Sequence, residues 1–124
     1  MTCMSTTLES FIERVRAGQP VEFEETLDII SRFYDYTPTR FLNGLGKDAL
    51  VNEPGQNEGS CKIFSLARRQ GLAVHETLAL FGRYYRNDVL AHPDGSDHKN
   101  IRNFMRHGWR GIHFETEALK RRDA

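Results

Sequence analysis

A chain of 124 residues, 39% hydrophobic and 27% charged, suffices for one domain with one modest core and has a folded protein's composition. No apolar run reaches the roughly 18 residues of a membrane span, and residues 1–20 lack the charged and apolar regions of a secretory leader. Two cysteines, Cys3 and Cys61, exclude a disulfide framework, and net charge zero divides into −5 over residues 1–58 (ten acids, five bases) and +5 over 59–124 (seven acids, twelve bases).

Residues 1–6 are expected to be disordered. Thr6 or Thr7 can cap a first helix whose Leu8, Phe11, Ile12 and Val15 share a face, with Gly18 closing it and Pro20 beyond. A second helix is predicted from Phe23 to Tyr36, stopped by Pro38. In "TRFLNGLGKDALVN" a short β-favouring run stands on each side of a glycine-rich turn, which predicts paired strands near 39–43 and 48–52. A third helix should start near Asn57 and close at Gly71. A fourth is predicted over "VHETLALFGRYYRNDVL", where Val74, Leu78, Phe81 and Tyr85 recur at helical spacing.

"HPDGSDHKNIRNFMRHGW" is the densest polar stretch. It reads as a Pro-Asp-Gly turn followed by a fifth helix capped by Ser96 or Asp97 and ended by Gly108. On that helix Ile101, Phe104, Met105 and His98 should face the core, and Lys99, Arg102 and Arg106 the solvent. A last strand near 111–115 would put Ile112 and Phe114 on one face, His113 and Glu115 on the other. The expected fold is α+β: about five helices packed around a small antiparallel sheet, in a single compact domain.

Chemistry is less legible. Cys61, one turn into a helix and next to Lys62, could be a nucleophile with His98 or His113 as base and Asp94 or Asp97 as orienter. The competing reading is stronger: Ile63, Phe64, Leu66 and Ala67 make that helix almost wholly apolar, so a buried structural thiol is expected. His92, Asp94, Asp97 and His98 are metal-ligand types, but His92 lies before the turn, and His98 and His107 point to opposite sides of a helix. No metal or other cofactor is therefore expected. The basic C-terminal half has no cluster of five or six bases and no long interleaving of aromatics with arginine, which argues against nucleic acid. Asn100, Asn103 and His107 form one stripe, either bracing nearby backbone or lining a polar cleft, since asparagine has no reason to recur inside a helix.

The words "FYDYTPTRFLNG", "NEGSCKIF", "LALFGRYYRNDVL", "PDGSDHKNIRNFM" and "GW" followed by "GIHFE" resemble the HopJ family of type III effector proteins, over about residues 22–120. The resemblance implies a small bacterial protein, made in the cytoplasm and delivered into a host cell by type III secretion. It brings no activity, cofactor or catalytic residue, so the chain reads as a non-catalytic protein that binds a macromolecule, either a host target or a secretion chaperone. The alternatives are a cytoplasmic small-ligand-binding domain and a thiol enzyme dependent on Cys61. The polar words "NEGSCK" and "SDHKNIRN" both begin helices, whose first amides are unpaired and carry partial positive charge. Should the two starts converge, Asn57, Glu58, Lys62, Asp97, His98, Asn100 and Asn103 are expected to form one binding cleft.

Overall fold

The computed structural model describes residues 7–122; residues 1–6, including Cys3, and 123–124 lie outside the described residues. Thr7 caps α1 (Leu8–Arg16), its hydroxyl accepting the Ser10 amide at 3.0 Å while the Ser10 hydroxyl accepts the Thr7 amide at 3.0 Å. The predicted stripe Leu8, Phe11, Ile12 and Val15 is buried. Helix α2 (Phe23–Phe33) begins where the Glu25 carboxylate accepts the Glu22 amide at 3.0 Å. It ends three residues earlier than expected. Tyr34–Tyr36 is instead strand β1, paired antiparallel with Leu119–Arg121 near the C-terminus. The local helical period continued through Tyr34, but the ladder partner that overrides it lies 85 residues away and leaves no local trace.

Strands β2 (Phe41–Asn43) and β3 (Leu50–Asn52) are antiparallel, joined through a single 3₁₀ turn at Gly46–Asp48. Strand β4 (His113–Phe114) covers the other edge of β2, and β5 (Leu119–Arg121) is the partner of β1. The three predicted strands are present in shortened form; β1 and β5 were not anticipated. Ile112 is buried and Phe114 half-buried, whereas His113 and Glu115 are exposed, as the alternation required. At the hairpin loop the Gly44 amide donates to the Gly111 carbonyl at 3.0 Å, and a Cβ on Gly111 would lie 2.7 Å from the Gly44 nitrogen. Only glycine permits that approach.

Helix α3 (Glu58–Gln70) closes on Gly71, left-handed at φ 68°. The predicted fourth helix is broken: α4 spans Val74–Ala79, and a separate π-helix covers Tyr84–Val89. Gly82 lies between them at φ 61°, where a Cβ would meet the Phe23 backbone nitrogen at 2.6 Å. The close approach of α2 thus requires a turn that the apolar spacing alone did not reveal. Helix α5 (Lys99–His107) ends at Gly108. Among the described residues, five α-helices and one π-helix therefore flank small antiparallel sheets, an α+β arrangement.

The core is organised around α3, whose Cys61, Ile63, Phe64, Leu66 and Ala67 are all buried. Its Phe64 ring lies 6.1 Å from Phe41, 5.5 Å from Phe81, 4.9 Å from Phe104 and 6.5 Å from Trp109, linking sheet, π-helix region and α5. A helix with apolar residues on most sides must run through the middle of its domain. That placement carries the α3 start toward α5.

Candidate functional site

Both polar helix starts open onto one cleft of about 600 Å³. Asn57, Gly59 and Ser60 of the α3 start face His98, Lys99 and Asn100 of the α5 start, and Phe23, Phe81 and Tyr84 form an aromatic wall. The wall is a continuous ladder. Phe23 stands 6.5 Å from Phe81 and 5.1 Å from Tyr84, and Tyr84 stands 5.5 Å from the His98 ring. Asn57 and His98, each at φ 50°, are the non-glycine residues with positive φ among the described residues, and each is the residue before the first turn of its helix. Such a conformation costs roughly 1 kcal/mol or more and persists only where the surroundings impose it.

Those surroundings are a chain of buried amides. Asn100 Oδ1 accepts from Asn43 Nδ2 at 2.9 Å and from Asn52 Nδ2 at 3.2 Å, while Asn100 Nδ2 donates to Asn52 Oδ1 at 2.9 Å. The same Asn52 Oδ1 accepts from Asn57 Nδ2 at 2.7 Å, so the β2–β3 hairpin joins the α3 start to the α5 start. Farther along the stripe, Asn103 Nδ2 donates to the carbonyls of Asn43 and Asp48 at 3.0 and 2.7 Å. His107 Nε2 lies 2.9 Å from the Asp48 carboxylate, and that bond together with Arg106 holds the Asp48 carboxyl below its usual range. The asparagine stripe therefore braces the hairpin. Asn43 and Asn52, fully buried, were missed in the sequence; asparagine at inward-facing strand positions was the available signal.

Of the seven anticipated residues, Asn57, His98 and Asn100 line the cleft. The other four lie outside its lining. Lys62 Nζ sits 4.6 Å over the Tyr36 ring, and burial together with Glu58 pushes the Tyr36 hydroxyl upward in pKa. Asp97 binds Arg102 at 2.7 Å, which lowers its carboxyl pKa, and Asn103 serves the hairpin loop. Neither Ser96 nor Asp97 caps α5, because the left-handed His98 occupies the cap position with no side-chain cap bond. Nor does Arg102 face solvent: its side chain, 11% exposed, clamps the 92–97 turn through the carbonyls of His92 and Asp97. Met105, expected in the core, is 41% exposed, and His98 is only half-buried. The cap thus falls one residue beyond Asp97 and two beyond Ser96, which leaves His98 outside the helix proper. Asp88, from the π-helix, meets His98 Nε2 at 3.0 Å; the unusual run "RYYRND" was its only trace in the sequence.

Cys61 is 1% exposed, and burial pushes its thiol up in pKa, away from the reactive thiolate. In a Cys3→Ser background, alkylation by iodoacetamide at neutral pH should be at least ~100-fold slower for the folded chain than for the urea-unfolded chain. Labelling at comparable rates would restore the thiol to the list of nucleophiles. Among the described residues, no three His, Cys, Asp or Glu side chains come together as a metal-binding group. No described helix is long and apolar enough to cross a membrane.

The chain is similar throughout to a solved structure, the crystal structure of the unknown function protein VPA0580. The two share 45% sequence identity over 98% of this chain and 99% of that one, with a TM-score of 0.88. Among curated proteins none matches. The model of the family described as HopJ type III effector protein matches residues 8–119, extending the resemblance back to the first helix. Nearly the whole described chain, cleft and asparagine brace included, falls within that match, and the chain belongs to the HopJ type III effector protein family.

Proposed function

We propose that this protein acts by binding rather than by catalysis, as a type III effector that engages a macromolecule, a host target or a secretion chaperone, through the cleft between α3 and α5. One observation carries the reading: two helix starts, each preceded by a left-handed non-glycine residue, meet at one cleft with an aromatic wall. Unpaired amides beside the half-buried rings of Phe23 and Tyr84 suit a partner segment that presents a polar or acidic group next to an apolar one. The burial of Cys61 supports the non-catalytic reading. In this proposal the protein is made in the bacterial cytoplasm and passes into the host cell by type III secretion, as the family description suggests. A cleft of about 600 Å³ also has the size of a small-molecule site, which keeps the cytoplasmic ligand-binding alternative in view.

The test compares wild type with Ser60→Trp, which fills the cleft, and Lys99→Glu, which reverses charge at its exposed rim. Each is immobilised and offered bacterial lysate and host extract in turn. A protein captured by wild type and lost by both variants, with unchanged circular dichroism, is the expected result. Capture that survives both substitutions would move the interface elsewhere. A heat-stable small molecule that raises the midpoint of wild type but not of Ser60→Trp would favour the ligand-binding alternative.

A further inference from the structure

A second concave surface, sharing no lining residue with the cleft, lies where the C-terminal half of α3 crosses the β4–β5 connection. It is a cavity of about 460 Å³ bounded by Ser65, Arg68 and Arg69 on one side and by Phe114 and the 115–119 segment on the other. The arginines around it lie against aromatic rings. Arg68 sits 5.9 Å over Phe114, Arg69 5.3 Å over Tyr34, and Arg121 5.8 Å over the same Tyr34 ring. Stacking of this kind restrains a guanidinium plane while its edge can still donate to a carboxylate, although Arg69 already gives Nη1 to the Leu119 carbonyl at 3.3 Å.

Their counter-ions are few. Among the described residues neither Arg68 nor Arg121 has a carboxylate within 4.0 Å, and Arg69 has only Glu117, at 3.4 Å with its side chain 85% exposed. Ser65, 6% exposed as a residue, lines the same cavity. A hydroxyl in the wall of a cavity with two arginines adds a neutral donor beside two charged ones, a set suited to an anionic acceptor supplied from outside.

We propose that this cavity seats a carboxylate of an acidic peptide segment on a partner protein. The Arg68 and Arg69 forks and the Ser65 hydroxyl donate to the carboxylate, which displaces the weakly held Glu117, and an apolar neighbour in the segment packs on Phe114. Arg121 adds to the attraction from beyond Arg69. A continuous phosphate backbone fits less well, because it carries a charge at every unit beside Glu115 and Glu117 and presents no apolar side chain to Phe114. The interleaving of cations and aromatics that the sequence order lacks is assembled by the fold from α2, β1, α3, β4 and β5, with Arg32 and Arg121 both over Phe33. This surface needs no assumption about the cleft between α3 and α5.

The full chain is titrated into a fluorescein-labelled octapeptide that alternates glutamate with leucine, and anisotropy is followed. Saturable binding is expected, weakened about tenfold by Arg68→Glu with Arg69→Glu and unchanged by Lys47→Glu on the distant hairpin turn. Glu117→Gln should tighten it about threefold, since an internal competitor is removed. Arg68→Gln, a milder change at an exposed position, supplies the reading should the double variant not fold. No saturation up to roughly millimolar protein overturns the proposal, as does equal affinity in Arg68→Gln and wild type. A single-stranded oligonucleotide of equal charge that displaces the peptide at lower concentration also overturns it, in favour of nucleic acid.

Discussion

Phe64→Ala is expected to destabilise the protein by about 4 kcal/mol, lowering the thermal midpoint by about 15 °C for a domain of this size. The reason lies in how many elements one ring joins. Phe64 contacts Phe41 of β2, Phe81 before the π-helix, Phe104 of α5 and Trp109 beyond it, and it is itself fully buried. Truncation removes the transfer free energy of the ring and leaves a void that four neighbouring rings cannot all collapse into. Since small domains hold only about 5–15 kcal/mol of net stability, the variant should be marginal at 37 °C. Urea denaturation read by Trp109 fluorescence measures the loss. A cost below about 1 kcal/mol would mean the ring cluster repacks freely and does not organise the core.

Asn100→Ala is expected to cost about 3 kcal/mol, unusual for a side chain in a helix start. Its amide makes three bonds to Asn43 and Asn52, and its removal leaves Asn52 Nδ2 with only two long contacts, each at 3.4 Å, to the carbonyls of Phe41 and Leu50. Leaving buried donors and acceptors unmatched carries roughly 1–3 kcal/mol each, less whatever water can recover. Asn103→Ala, which frees two loop carbonyls nearer the surface, should cost about 1–2 kcal/mol. Both are read as shifts in the urea midpoint at constant m-value. If Asn100→Ala is nearly neutral in stability yet abolishes partner capture, the side chain belongs to the binding surface and not to the brace. The same variant should loosen the left-handed caps at Asn57 and His98, visible as faster amide exchange in the first turns of α3 and α5.

The elements that were readable in the order of residues are those whose signals are local. The α1 cap at Thr7, the closing glycines at Gly71 and Gly108 and the hairpin around Gly44 and Gly46 all depend on residues a few positions apart. So does the apolar α3, and with it the burial of Cys61. What no local window contains is pairing across distance. Tyr34–Tyr36 is a strand because Leu119–Arg121 lies beside it, and α4 stops short because Gly82 must clear the backbone of Phe23. His98 rather than Ser96 or Asp97 caps α5 because Asp88 and the amide brace hold it in a left-handed turn.

The site divides in the same way. Residue types alone marked the two helix starts as polar and unusual, and the spacing of Asn100 and Asn103 marked a shared face. That the starts meet, and that Asn43 and Asn52 join them, was decided by the packing of α3 and α5 against one hairpin. The arginines over Phe33, Tyr34 and Phe114 come from segments up to 89 residues apart, which only the folded ladder brings side by side. Local sequence determines which backbone conformations are cheap. Which buried amides find partners, and which cations share a ring, is set by tertiary contacts whose cost in chain entropy the core has already met.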